Sequence, residues 1–223
     1  MGLAHSPKII TDNLVLCLDA ANTKSYGGSG TTWTDLSGEG NNGTISGATH
    51  TSGAGGYLEF DGTNDVVTVS STSDFAYTTG DFTWDIWINV DSLTNNTYAL
   101  DHGSNGGTLA FGGGNGNRYY NTTTGTSSTL FTTGFGTISL NQWYHLVASR
   151  ISGTTYLYKN ASLTTSASDS HNYAAQALNI GKWGGNNYYW DGKISSSKIY
   201  KGKGLTAIEV AQNFNALRGR YGI

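Results

Sequence analysis

Phe82-Thr-Trp-Asp-Ile-Trp-Ile-Asn-Val90 decides the fold. Phe82, Trp84, Ile86, Ile88 and Val90 fall on every second position, and Thr83, Asp85, Trp87 and Asn89 fill the alternate ones. Successive side chains of a strand point to opposite faces, so this spacing predicts one apolar face for a partner sheet and one face turned outward. A two-layer sandwich follows. The outward face carries Trp87, which makes that ring a candidate contact surface.

Working outward, runs rich in Val, Ile, Tyr, Trp and Thr recur between Gly/Asn/Ser/Thr clusters, the pattern of many short antiparallel strands. Strands are predicted at 14–18, 57–60, 66–70, 82–90, 98–101, 108–111, 118–121, 143–151, 155–159, 177–180 and 193–200. The fold class is therefore all-β, a two-sheet antiparallel jelly-roll sandwich, with one short helix at the C-terminus. Thr206 caps that helix, Glu209 completes a capping box, and Leu205 and Val210 form a hydrophobic staple. Ile208, Val210, Ala211, Phe214 and Leu217 supply its apolar stripe, Gly219 stops it, and it is expected to close one end of the sandwich. Residues 1–13 read as an extended N-terminal arm and 14–223 as a single domain.

Composition narrows the function. The 223 residues carry 12 Lys+Arg against 15 Asp+Glu, a net charge of −3, which leaves no basic footprint for nucleic acid. Charged residues make up 12% of the chain, while 37% is hydrophobic, enough to bury a core. One cysteine excludes an internal disulfide framework. No run of about 18 apolar residues points to a membrane span, and the start lacks the cationic and apolar regions of a secretion signal.

Four segments, in order, resemble the concanavalin A-like lectin/glucanase superfamily in its laminin-G-like jelly-roll branch. Trp33-Thr-Asp-Leu-Ser-Gly-Glu-Gly-Asn-Asn-Gly-Thr44 resembles the early loop of that family, and Tyr57-Leu-Glu-Phe-Asp-Gly-Thr-Asn-Asp-Val-Val-Thr-Val69 its Phe-Asp-Gly strand pair. Residues 82–90 and Trp143-Tyr-His-Leu-Val-Ala-Ser149, followed by Tyr156-Leu-Tyr-Lys-Asn160, resemble the two central strands. Leu178-Asn-Ile-Gly181, Trp190-Asp-Gly-Lys-Ile194 and Lys198-Ile-Tyr200 match the ending. Ala161 departs from the pattern, standing where a turn glycine is usual. Within the branch, the start, the 29–38 stretch and the Arg-Gly-Arg-Tyr-Gly-Ile end look most like structural proteins of tailed phages and marine viruses. The resemblance implies a non-enzymatic virion component (fibre, tail-associated or head-decorating), made in the host cytoplasm. Its implied partners are other virion proteins, copies of itself, or a host-surface glycan, with neither nucleic acid nor membrane. The alternative is a free-standing, extracellular carbohydrate-binding lectin. A glycoside hydrolase is the third reading.

Hydrolysis needs two carboxylates, and glucanases of this superfamily set Glu, Asp and Glu on alternate residues of one strand. Thr83-x-Asp85-x-Trp87 is the nearest equivalent and holds one acid. Gly38-Glu-Gly-Asn-Asn-Gly43 matches a dinucleotide fingerprint in letters, but nothing after it reads as a helix, so its glycines are expected to make a surface loop. His145 is expected to be a hydrogen-bonded sheet residue. Asp61, Asn64 and Asp65 share one tight loop and, with Asp191, form a candidate Ca²⁺ ligand set; the alternative is that the acids cap turn amides. Exposed aromatics are the leading binding clue. Trp183, Tyr188, Tyr189 and Trp190 surround a loop containing Asn186, and Trp87 adds a fifth ring; flat rings stack on sugar faces while Asn donates and accepts. The alternative is that some of these rings seal the core.

Overall fold

The computed structural model describes residues 7–53, 55–103, 106–112, 116–123, 126–128, 134–185 and 187–223, with backbone alone at 121–123 and 126–128. Among these residues the strands are β1 (Leu14–Asp19), β2 (Thr32–Trp33), β3 (Gly43–Ser46), β4 (Thr49–Thr51), β5 (Tyr57–Asp61) and β6 (Val66–Val69). They continue with β7 (Phe82–Val90), β8 (Thr97–Asp101), β9 (Gly107–Phe111), β10 (Arg118–Thr123) and β11 (Thr126–Ser128). The last are β12 (Trp143–Ile151), β13 (Thr154–Lys159), β14 (Ser162–Ser168), β15 (Leu178–Ile180) and β16 (Asp191–Lys201), followed by helix α1 (Ala207–Leu217).

Two antiparallel sheets result. Sheet A runs β14-β13-β12-β7-β16-β5-β4, with β1 also on β16; sheet B runs β11-β10-β9-β8-β15-β6-β3-β2. The long β16 holds β7 along one edge and divides the other, Asp191–Ile194 pairing with β5 and Ser196–Tyr200 with β1. As the alternation predicts, Phe82, Trp84, Ile86, Ile88 and Val90 enter the core between the sheets. They meet Val67, Val69, Leu100, Leu109, Phe111 and Ile180 from sheet B. Fully burying one such side chain contributes roughly 1.5–3 kcal/mol, so this seam dominates the stability.

All eleven expected strands form. The strands without a sequence signal are β2, β3, β4, β11 and β14, which are short or rich in Thr and Ser, and β14 is an edge strand largely open to solvent. The 38–43 glycines lie in a loop that passes into β3, with Gly38 and Gly40 at positive φ. Asp35 organises that loop: Oδ1 accepts the Cys17 and Ser37 amides at 2.8 and 2.9 Å, and Oδ2 accepts the Asn41 amide at 3.0 Å.

Asn160 and Ala161 both take positive φ, 50° and 64°, in the two-residue turn joining β13 to β14. Such a turn matches the strand twist but places a methyl group in the left-handed region, at a cost of roughly 1–2 kcal/mol. Ala161→Gly is therefore expected to raise the unfolding free energy by about 1 kcal/mol, read as a higher urea midpoint at unchanged slope.

The outer face of sheet A corrects four expectations. Helix α1 does not close the end of the sandwich; it lies over the outward residues of β7, β12 and β16. Its capping box forms as expected, with the Thr206 amide donating to Glu209 Oε2 at 2.9 Å. Val210 and Leu205 join Cys17, Val147, Tyr158 and Tyr200 in a second apolar cluster, against which Ile9 and Ile10 of the N-terminal segment pack. Ile208 instead points to solvent at 82% exposure. Gly219 does not end the helix in a left-handed cap, because the chain continues into a 3₁₀ turn over Arg218–Arg220. Trp87 is fully buried, stacked on Phe214 (5.7 Å, 4°), His145 (5.0 Å) and Tyr221 (4.3 Å).

Beneath this cover lies a buried polar network. Asp85 Oδ1 sits 3.1 Å from Lys198 Nζ and 3.1 Å from His145 Nε2, and Oδ2 accepts from Asn213 Nδ2 at 2.8 Å. All four residues are essentially without solvent contact. Burial alone would raise the Asp85 pKa, but Lys198, His145 and the hydrogen bonds outweigh it and hold the carboxyl well below the usual range.

Candidate functional site

Sheet B presents an outer face of different character. The strand register sets Thr32, Thr44, Thr68, Asn179, Asp101, Thr108 and Tyr120 directly across from one another in a single row. With strands 4.7–4.9 Å apart, seven positions span about 29 Å. Thr32, Thr44 and Thr68 are exposed and Asn179 is half-buried, while Asp101, Thr108 and Tyr120 are covered. A shorter parallel row comprises Arg118, Ala110 and Tyr98.

Over the covered end sits an aromatic cluster. Trp183 stacks on Tyr98 at 5.6 Å and 16°, and Tyr188 lies 5.8 Å from Tyr98 and 5.9 Å from Trp183. Trp183 is half-buried and Tyr188 is 36% exposed, so both keep surface toward water. Tyr98, Ala110 and Tyr120 form the apolar floor against which Trp183 packs.

The loop between β15 and β16 carries these rings, and its shape has identifiable causes. Gly181 takes φ +85°, and a Cβ there would stand 2.4 Å from Phe60, so the loop can leave β15 at this angle only with glycine. The Trp183 amide then donates to Tyr188 O at 3.0 Å, closing a small hairpin. Asp101 anchors the hairpin: Oδ2 accepts the Gly184 amide at 2.9 Å and the Gly103 amide at 3.3 Å, and Oδ1 accepts Thr108 Oγ1 at 2.6 Å. Burial raises the pKa of this carboxyl above the usual value, with the same three hydrogen bonds acting the other way. Asp101 is thus a positioning residue.

Of the ring residues singled out from sequence, Trp183 and Tyr188 come together here. Tyr189 is half-buried opposite Lys182, whose Nζ lies 5.4 Å from its ring centroid. Asn186 lies outside the described residues. Trp190 and Trp87 do not belong to a platform, because both are fully buried, Trp190 edge-on to Phe111 in the core and Trp87 beneath α1. Tyr98, Tyr120, Asp101 and Arg118 join the site unannounced by sequence. Their strands read simply as core strands, and which side chains face outward together depends on register.

The carboxylates elsewhere do structural work. Asp65 Oδ2 accepts the Asp61 amide at 3.0 Å and Asp61 Oδ1 accepts the Thr63 amide at 2.8 Å, the turn-capping arrangement. Asp191 pairs with Asp61 across the β5–β16 ladder, and Asn64 is exposed. Burial is the leading cause raising the pKa of Asp65 and of Asp191. Among the described residues, no three His, Cys, Asp or Glu side chains form a group that could hold a metal ion. Asp85, the acid nearest the glucanase pattern, is sealed under α1. His145 lies in the sheet as expected, at ion-pair distance from Asp85, with its ring nitrogens lacking a well-formed hydrogen bond, and His102 is kept neutral by burial, which pushes its pKa down to about 4.

Comparison with known proteins agrees with this architecture. Residues 61–211 match a laminin G-type profile of the concanavalin A-like lectin/glucanase superfamily, and the chain belongs to that superfamily. No curated protein sequence matches it. Among solved structures, the binding domain of Paraclostridial Mosquitocidal Protein 1 is similar at TM-score 0.71 and 21% identity, over 92% of this chain and 52% of that one. Domain 4 of AbnA, a GH43 extracellular arabinanase from Geobacillus stearothermophilus, in complex with arabinotriose, is similar at 0.70 and 17%, over 90% and 98%. Trypanosoma rangeli sialidase is similar at 0.70 and 16%, over 98% and 36%. The chain thus spans about half of the first and a third of the sialidase.

Proposed function

We propose that this chain is a non-catalytic, lectin-like module that binds a glycan on the outer face of sheet B. The observation that carries the reading is the Tyr98–Trp183–Tyr188 cluster, whose Trp183 and Tyr188 rings reach water beside a row of Thr and Asn groups. Rings stack on the apolar face of a sugar, and the exposed hydroxyls of Thr68 and Thr44 with the half-buried amide of Asn179 answer its hydroxyls. The likeness to a domain solved with arabinotriose supports a saccharide ligand. We further place the module in a virion of a tailed phage, as a fibre, tail-associated or head-decorating subunit touching its own copies or other virion proteins. The motif likeness of the chain's start and end supports that setting, and portal, capsid or tail genes beside its own are the expected context.

A glycan array with the purified protein tests the binding, run with Ca²⁺ and with chelator because Asp61, Asn64, Asp65 and Asp191 remain the proposed calcium ligands. Saccharide binding that disappears when the Trp183 ring is removed is the expected result. Binding to no saccharide, or binding indifferent to Trp183, overturns the reading.

A further inference from the structure

Arg118 is out of place unless something meets it. It lies on β10 at the end of the Arg118–Ala110–Tyr98 row, about two strand spacings, or roughly 10 Å, from the Tyr98 backbone. Its guanidinium carbon stands 5.2 Å from the centroid of the Tyr120 ring, a cation–π contact beside the aromatic cluster. Its Nε is buried without a hydrogen-bond partner. The ion pairs formed among the described residues engage Arg150, Lys193, Lys198, Lys203, Arg220 and His145, and not Arg118.

A buried N–H left unmade costs about 1–3 kcal/mol, and a charged fork held against an aromatic ring is the group that takes a planar anion through two parallel hydrogen bonds. Between Arg118 and Tyr98 in the row, Ala110 is buried with Tyr98 and Tyr120 against Trp183, so a sugar would rest on the outer side of the Trp183 and Tyr188 rings. The nearby Asp101 makes no ion pair with Arg118 among the described residues, its two oxygens being turned to the Gly184, Gly103 and Thr108 donors. The chain as a whole is acidic at −3, so the attraction is local to this one side chain.

We propose that the site selects an acidic glycan, its anionic group held by Arg118 while Trp183 and Tyr188 stack on the sugar. This rests on the glycan-binding reading and names the substrate class for that same site. The shared chemistry is an oxyanion on a sugar, from a uronic-type carboxylate or a sulfate ester.

The test measures affinity by calorimetry for a uronate oligosaccharide, its carboxyl-reduced neutral counterpart, and a sulfated neutral oligosaccharide, using wild type and Arg118→Gln. At least tenfold tighter binding of one acidic ligand over its neutral counterpart, falling to near parity in Arg118→Gln while neutral binding persists, supports the proposal. Whether the uronate or the sulfate shows the gain identifies the source of the anion. Equal binding of acidic and neutral ligands by wild type, or a preference that survives Arg118→Gln, overturns it and leaves the glycan-binding reading standing. Binding of none of the three overturns both. Arg118→Lys separates charge from fork geometry: partial retention of the preference supports bidentate capture, and full retention argues against it.

Discussion

Asp85→Ala is expected to destabilise the protein by about 3–5 kcal/mol, a fall of roughly 10 °C in Tm for a domain of this size. The magnitude comes less from the lost attraction than from what remains: Lys198 would stay buried with its ammonium uncompensated, and His145 and Asn213 would lose their common partner. Replacing Asp85 and Lys198 together by apolar residues of similar volume is expected to recover most of the loss, since a buried pair roughly breaks even against good packing. The sign with pH follows from the depressed carboxyl. Its folded pKa lies below the unfolded value near 3.9, so the contribution is complete above that value and drains away as pH falls through the folded one. Urea titrations from about pH 6 down to pH 2 should show wild type losing stability steeply and Asp85→Ala much less. A cost under about 1 kcal/mol at neutral pH would mean that the network is not sealed as described.

Trp183→Ala is expected to weaken glycan binding at least about 30-fold, the scale of a binding hot spot of 2 kcal/mol or more. Stability should move by no more than about 1 kcal/mol, because Trp183 lies outside the main core and keeps one side in water. Calorimetric titration beside thermal melting separates the two effects. Lost binding together with a collapsed Tm would make Trp183 a structural ring.

The inner half of the sandwich was legible because alternation at 82–90 is a property of one strand, independent of its neighbours. The outer half was not, because it depends on pairing. Trp87 and the apolar stripe of α1 each lacked a partner in sequence, and each is the other's answer: a large ring on an outward strand position and a capped amphipathic helix cover one another. Trp183 and Tyr188 were readable from clustering around glycines. Trp190 failed by a short step along the chain, since it stands where the loop re-enters the core at the start of β16. Arg118 and Asp101 carried no local signal, and only the β8–β9–β10 register sets them beside the rings.

The Lys8 carbonyl accepts from Gln212, the Ile10 amide donates to Asn213, and Tyr221 lies on Trp87, so the first and last described segments both lie behind sheet A. Anything tethered beyond either of these segments, such as a fibre shaft or a display scaffold, would attach on the sheet A side, leaving the proposed sugar-facing surface of sheet B to look outward like the pad of a fingertip. Fusions at the N- and C-termini should be equally harmless to presentation.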